Sequence, residues 1–408
     1  MKIPKHNLTD DTIEVFNKPK NVYIPLIIGN DTNITVLVNK GEYVHKGSII
    51  GKTKGNYRIP IHSSVSGTVI DFVEKTCLTG EKVKCVLIEN DFKEKIEIKE
   101  KTTDTYTKEQ FLETIKENGI IGMGGSGFPT YVKYDNKIKT LIINAVECEP
   151  YLMADYALTL NKCEEILEAI DMIMEINEIE EAIIAIRKQN SKLKDLFDNY
   201  IGTYLKIKVV LVNNDYPMGW ERTLIKEVKH KEYDKLPIEC GIVVSNVSTI
   251  YAIYEALKYN KPLIERVITF SGEGLEKPKN ILVKIGTQID EVLETLNVKE
   301  NTFVVSGGPM MGVKIKTNDL VISAHSTSVL CLEEQPKSAA NPCIRCGKCV
   351  DVCPAKLSPV LIMDSVNEKD KLIPLRPRDC VECGLCSYVC PAKIAVREYV
   401  KKAKKEVL

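Results

Sequence analysis

The chain has no uninterrupted apolar run near 18 residues, which excludes a membrane-spanning helix. It has no surplus charge of either sign: Lys+Arg and Asp+Glu stand at 56 each, so no global field favours nucleic acid or anionic lipid. Histidine is scarce, at 5 residues. His6, His45, His62, His230 and His325 show no H-x-x-H or H-x3-H spacing, which argues against a histidine metal site and for surface or turn positions. Tryptophan occurs once, at Trp220. The start, MKIPKHNLTDDTIEVF, has no apolar core of a signal peptide, so a reducing cytoplasmic location is expected. What remains is ordinary for globular protein, 44% hydrophobic and 27% charged, and 408 residues long enough for two to four cores. Cysteine is the exception.

Eight of the 14 cysteines fall in two copies of C-x2-C-x2-C-x3-C-P. The first is Cys343, Cys346, Cys349 and Cys353-Pro354; the second is Cys380, Cys383, Cys386 and Cys390-Pro391. Three thiolates spaced by x2 wrap one corner of a cubane, and the x3 step and proline carry the fourth away to the other cluster. The expected ligand sets are Cys343, Cys346, Cys349 and Cys390 on one [4Fe-4S] cluster, and Cys380, Cys383, Cys386 and Cys353 on a second. Structural zinc would pair two C-x2-C knuckles and leave a third cysteine in each run unused. Disulfides would imply export, which nothing else here supports. Cys77, Cys85, Cys163, Cys240 and Cys331 are isolated and read as packing thiols; Cys148 reads as a small residue in a pocket wall.

Upstream, the chain changes character several times. Residues 1–100 read as short strands punctuated by Lys40-Gly41-Glu42 and Lys46-Gly47-Ser48, resembling the barrel-sandwich of lipoyl carrier domains. Lys54 lacks the neighbours of a modified carrier lysine, so the module is expected to dock or scaffold. A charged stretch, 91–106, reads as a linker. Over 105–261 strands alternate with amphipathic helices, the mark of a parallel sheet, after a capping box at Thr107 and Gln110. Residues 262–330 suggest a small mixed domain of strands around one helix. Residues 335–408 hold the cysteine runs and a lysine-rich final helix, expected to be a solvated face. The predicted fold class is therefore multidomain α/β and α+β.

Gly122-Met-Gly124-Gly125-Ser-Gly127 matches G-x-G-x-x-G, but it follows a helix rather than a strand, so an ordinary dinucleotide loop is not expected. A run of glycine amides still makes a nest for phosphate, with Lys133 as counter-charge. A tight turn packing a helix on a sheet is the plainer alternative.

Taken together, IGMGGSGFPTYVKY and NAVECEP resemble the flavin and nicotinamide site of the NADH-oxidising flavoprotein of respiratory complex I. They resemble the RnfC proteins of Rnf complexes more closely still. Tyr216-Pro-Met-Gly219-Trp-Glu221, Asn246-Val-Ser-Thr249 and the phrase Ser306–Gly312 fall in the RnfC order. The resemblance implies barrel-sandwich, FMN/NADH domain, β-grasp-like domain and two-cluster ferredoxin in succession. It also implies non-covalent FMN, with NADH as hydride donor. By the same resemblance, Gly122, Gly124, Gly125, Gly127 and Lys133 hold the FMN phosphate, and Asn144, Glu147 and Asn246 touch the flavin. Phe128 offers a ring to the nicotinamide or adenine. Glu149, Tyr216 and Glu221 line the cleft, the two carboxylates as catalytic candidates. Two positions depart from the complex I pattern, which has acids where Val146 and Trp220 stand. The glycine-glycine-(Ile/Val)-His-Pro phrase usual near the start of RnfC is missing.

The expected chemistry is hydride from NADH to FMN, then single electrons through two clusters. The Rnf resemblance implies partners in a membrane complex, ferredoxin indirectly, and a peripheral place on the cytoplasmic face; nucleic acid is not a partner. A soluble relative serving another acceptor, or a flavin-less electron wire, stay open on the missing phrase and on Val146 and Trp220.

Overall fold

The computed structural model describes residues 1–4, 9–16, 18–55, 57–77, 79–96, 105–315, 319–334 and 339–407. His6, residues 97–104 of the charged stretch, Gln335 and Leu408 lie outside the described residues.

Alternating apolar positions build the first module. Strand Lys82–Asn90 buries roughly every second residue and pairs antiparallel with Asn21–Pro25 and Gly67–Thr76. Strands Ile34–Val36, Ile49–Thr53 and Pro60–His62 form a second sheet. Between the two lies an aliphatic core including Val22, Ile24, Val44, Ile50, Ile59, Val86 and Ile88. The tight turns sit at Gly41 and Gly47, where φ is +85° and +89°.

The middle of the chain forms a four-stranded parallel sheet, in the order Ile207–Val212, Glu181–Arg187, Thr140–Ala145, Ile242–Asn246. Its strands are near-continuous aliphatic runs because helices cover both faces. Chain order runs outward from Thr140–Ala145 in one direction and then crosses to its other side. By the switch-point rule of open α/β sheets, this reversal places the candidate ligand crevice at the carboxyl ends of Thr140–Ala145 and Ile242–Asn246. The capping box at Thr107 and Gln110 opens helix Lys108–Glu117. Helix Ala154–Asn161 has no counterpart in the sequence reading.

A six-stranded sheet follows, built on Glu265–Ser271 and Lys279–Lys284 with helix Ile289–Leu293. Three of its strands were not anticipated, among them the short Val313–Lys314 that pairs with Thr302–Ser306. Ser328–Glu333 enters between Glu265–Ser271 and Thr302–Ser306. Ile13–Phe16 leaves the first 100 residues and pairs in parallel with Lys279–Lys284. The C-terminal unit is helical, packed on Leu357, Ile362, Leu372, Val396 and Val400, with Cys353, Cys380, Cys386 and Cys390 against that core. Among the described residues no helix is long and apolar enough to cross a membrane.

Two histidines expected at the surface are buried: His62 is 3% exposed and His325 is 4% exposed. Cys77, Cys85, Cys163 and Cys331 are buried packing thiols.

The glycine loop meets the first module at its backbone. Gly127 has φ +61°, and a Cβ there would stand 2.6 Å from Gly29 Cα. Gly127→Ala should lower stability by more than about 1 kcal/mol, through both clash and unfavourable φ. Gly202→Ala, with nothing within 4 Å, is the control and should change little. Thermal unfolding of the two variants checks the contrast.

Candidate functional site

The crevice is bounded by the ends of two paired strands. Asn144 and Asn246 sit opposite each other in the parallel register. Asn144 donates from Nδ2 to the Gly219 carbonyl at 2.9 Å, and its Oδ1 accepts from Val146 N–H at 3.1 Å. Asn246 caps helix Val247–Tyr259, accepting from Ser248 N–H at 3.0 Å, and donates to Asp155 at 2.6 Å. Gly124 packs on Asn246, where a Cβ would meet the asparagine Cβ at 3.3 Å. Met123 N–H donates to Thr249 Oγ1 at 2.9 Å, fastening the loop to the same helix.

Gly124 and Gly125 expose their backbone, and Gly125, at φ +103°, has open space where a side chain would be. Amides presented beside the N-terminus of a 13-residue helix make an anion cradle. Lys133 donates to the Val244 carbonyl at 3.0 Å and lies 3.8 Å from Glu221, which accepts from Tyr233 at 3.2 Å. The residues present therefore fit a phosphate-bearing flavin. Val146 is fully buried among Ile142, Ala185, Val212 and Met218, under the sheet rather than on the crevice wall. Trp220 is the N-cap residue of helix Glu221–Lys229.

Four other expected site residues point elsewhere. Phe128 meets Tyr57 edge-on at 5.9 Å. Glu147 accepts from the Asp155 and Tyr156 amides at 3.1 and 3.2 Å, so its carboxylate serves the start of helix Ala154–Asn161. Glu149, expected in the cleft, turns to the phrase Ser306–Gly312, accepting from Met310 N–H at 3.1 Å and Met311 N–H at 2.9 Å. Two orphan amides of a tight loop hold it there more firmly than open solvent does. Burial pushes its carboxyl up to about 7, against the opposing pull of those amides, Arg397 and Tyr216. Tyr216 is 3% exposed, and its hydroxyl donates to the Cys383 carbonyl at 2.8 Å.

Three residues that buttress the glycine loop and Asn246 carried no motif. Arg266, 3% exposed, donates to the Ala324 carbonyl at 2.7 Å and to the Met123 carbonyl in the glycine loop at 3.3 Å. Burial lowers its pKa to about 10, opposed by Asp155 and Glu147. Asp155 also accepts from Ser248 at 2.5 Å. His325 lies close to Gly127 and is lowered to about 4 by burial and by Arg266.

Cys353, Cys380, Cys383 and Cys386 line one cavity with Leu357, Leu385 and Arg397. Leu357 N–H donates to Cys353 Sγ at 3.4 Å and Glu382 N–H to Cys380 Sγ at 3.3 Å, the kind of bond that tunes a cluster's potential. Burial raises the Cys383 thiol to about 11 and Cys386 to about 12, so metal must displace their protons. Among the described residues no three His, Cys, Asp or Glu side chains converge on a single-ion point. Cys343 and Cys346 flank Cys349, and Asn341 N–H donates to the Ala392 carbonyl at 2.9 Å, bringing the first run's start beside the residues after Cys390. The shared cavity of Cys353, Cys380, Cys383 and Cys386 fits the crossed-over set expected from the spacing. Lys404, expected in solvent, donates to the Cys380 carbonyl at 2.8 Å and pairs with Glu382 at 3.2 Å.

Known proteins bear the same parts. Residues 1–93 match the RnfC barrel sandwich hybrid domain, 115–255 the Nuo51 FMN-binding domain and 342–394 the 4Fe-4S dicluster domain. The C component of the Na(+)-translocating ferredoxin:NAD(+) oxidoreductase complex of Acetobacterium woodii is 33% identical over 360 residues, 85% of this chain and 81% of the relative. Its counterpart in the proton-translocating ferredoxin:NAD(+) oxidoreductase complex of Clostridium ljungdahlii is 34% identical over 365 residues, 86% of this chain and 79% of the relative. The corresponding component of the ion-translocating oxidoreductase complex of Rhodobacter capsulatus is 32% identical, covering 87% and 71%. In fold, the chain is similar to a chain of an NAD+-reducing [NiFe]-hydrogenase, at TM-score 0.54 and 16% identity over 74% of this chain; it spans 63% of that chain.

Two outcomes are expected. Glu149 holds its proton more tightly in the native state than at its ordinary 4.5, so stability should fall as pH rises from about 4.5 to about 7. Urea midpoints across that range should show the slope in the parent and its loss in Glu149→Gln. Anaerobic reconstitution should give about eight irons and eight acid-labile sulfides per chain. A value near four, or zinc, would remove the two-cluster assignment.

Proposed function

The chain belongs to the RnfC family of ion-translocating oxidoreductase complexes, and from that premise we propose that it exchanges hydride with NAD(H) at the crevice of Asn144 and Asn246. It is an iron-sulfur flavoprotein of electron transfer and an oxidoreductase, with FMN and two [4Fe-4S] clusters as its cofactors. The observation that carries the crevice reading is the exposed Gly124–Gly125 backbone set against Asn246, at the point where the parallel sheet reverses its order.

FMN supplies the conversion between a two-electron hydride and single electrons. The protein's share is binding and orientation. Gly124 and Gly125 would present amides to the phosphate, while Gly122 N–H and Gly127 N–H shape the loop by donating to the Phe128 and Gly122 carbonyls, and Lys133 would offset the charge. Asn144, fixed to Gly219, and Asn246, fixed to Asp155, have little rotational freedom and so would help orient a bound flavin. Glu221 stands beside Lys133 at the rim, where a nicotinamide would enter. Arg266 anchors the loop from below by its bond to Met123.

The ligand sets are Cys380, Cys383, Cys386 and Cys353 for one cluster, and Cys343, Cys346, Cys349 and Cys390 for the other. The external partners are the other Rnf proteins at the cytoplasmic face of the membrane, with ferredoxin reached through them. The relatives' names support membership of such a multi-component complex, the side of the membrane rests on the sequence reading, and the chemistry permits flow in either direction.

Flavin-depleted protein should keep both clusters, resist reduction by NADH, and still be reduced by dithionite, a one-electron donor. Gly125→Val should behave as flavin-depleted, because a β-branched side chain is strained at φ +103° and would occupy the open space over the loop. Stopped-flow spectra and flavin released by acid give the readout. Clusters bleached by NADH at the parental rate in flavin-free protein would overturn the reading.

A further inference from the structure

The two cysteine sets meet the rest of the chain very differently. Cys383 is 9% exposed and packs with Tyr216, Met310 and Leu385, with Cys148 alongside. Its carbonyl accepts the Tyr216 hydroxyl at 2.8 Å. Three residues after Tyr216 comes Gly219, whose carbonyl holds the Asn144 amide at 2.9 Å. A Cβ on Gly219 would stand 3.3 Å from Cys148 Sγ. One short stretch of backbone thus joins the crevice wall to a cluster ligand.

A second approach lies beside it. A Cβ on Gly384 would come 2.5 Å from the Met310 carbonyl, so the second cysteine run and the 308–312 loop touch backbone to backbone. Glu149 holds the amides of Met310 and Met311, and it follows Glu147 and Cys148 directly from the end of strand Thr140–Ala145. Arg397, which lines the cavity of Cys353, Cys380, Cys383 and Cys386, donates to the Met311 carbonyl at 2.8 Å. The first run stands apart from these contacts. Cys346 is exposed, and its neighbours Ile344 and Val350 are 67% and 37% exposed.

We propose that the cluster of Cys380, Cys383, Cys386 and Cys353 exchanges electrons directly with the flavin, that Tyr216 is the residue that positions it, and that the cluster of Cys343, Cys346, Cys349 and Cys390 faces the external one-electron partner. The order rests on the flavin reading of the crevice. Electron transfer weakens steeply with separation and strengthens along bonded paths, and among the described residues the second run has such a path to the crevice wall through Tyr216. The balance is simple. NADH becomes NAD+ with release of one proton and two electrons, and each electron passes singly to the inner cluster, then to the outer one. No covalent bond to the protein forms or breaks.

Cys386→Ala and Cys346→Ala in the full-length holoprotein each remove one cluster, leaving about four irons per chain. The flavin is reduced by NADH in one series and by light with a sacrificial donor in another, and cluster reduction is followed by absorbance and electron paramagnetic resonance. Cys346→Ala should keep the fast flavin-to-cluster phase but lose transfer onward to a one-electron acceptor protein. Cys386→Ala should lose the fast phase. The reverse pattern, or a fast phase kept in both, overturns the proposed order. If both variants lose it, Tyr216→Phe decides, since it keeps the ring but removes the bond to Cys383. A slowed phase at parental iron, flavin and melting temperature supports the positioning role, and a parental rate overturns it. Failure with NADH but success with light would sink the nicotinamide reading while leaving this order standing.

Discussion

A guanidinium taken out of water has to find its partners inside the protein, and Arg266 finds them in several places at once. Desolvation of such a cation costs several kcal/mol after relaxation, so it is tolerated only where carbonyls and counter-charges are already assembled. Here they come from Met123 in the glycine loop and Ala324, with Asp155 and Glu147 supplying opposite charge. Asp155 in turn fixes Asn246 and Ser248, and Glu147 fixes the start of the helix that carries Asp155. The loop, the crevice asparagine and the six-stranded sheet are therefore tied through one buried charge. Remove it and two acids lose a counter-charge while two carbonyls lose a donor.

The parallel sheet was legible because its strands and helices differ in period, and because burial on both faces leaves nearly continuous aliphatic strands such as EAIIAI. The cysteine runs were legible for a different reason: the spacing is set by the metal cluster rather than by the fold. Long-range pairing left no such trace. Nothing in IEVF announces that Ile13–Phe16 adds to a strand more than 260 residues away, since any short β-branched segment satisfies an edge.

The polar residues divide in the same way. Gly124, Asn144 and Asn246 belong to short phrases with a recognisable mechanism, and they share one crevice. Arg266 sits in ERVITFS, where it reads as the solvent face of a strand. Only the third dimension shows the carbonyls waiting for it. Glu149 and Lys404 make contacts that their phrases did not announce, for a common reason. A carboxylate in a flavin-like phrase and a lysine on a basic helix have solvent-facing roles by default, and each is claimed instead by backbone groups of a distant loop.

Gly384 has a meaning for modularity. Dicluster ferredoxin units look interchangeable, because their cysteine spacing is self-contained. In this chain the second run approaches the Met310 carbonyl so closely that any side chain at 384 would strike backbone. Arg397 completes the fit from the last helix. A ferredoxin unit transplanted from another protein would bring its clusters intact yet stand off by the width of a methyl group unless it also carried glycine and arginine at these two places. The boundary between the domains is thus a matched pair of surfaces, and the two sides are constrained to change together.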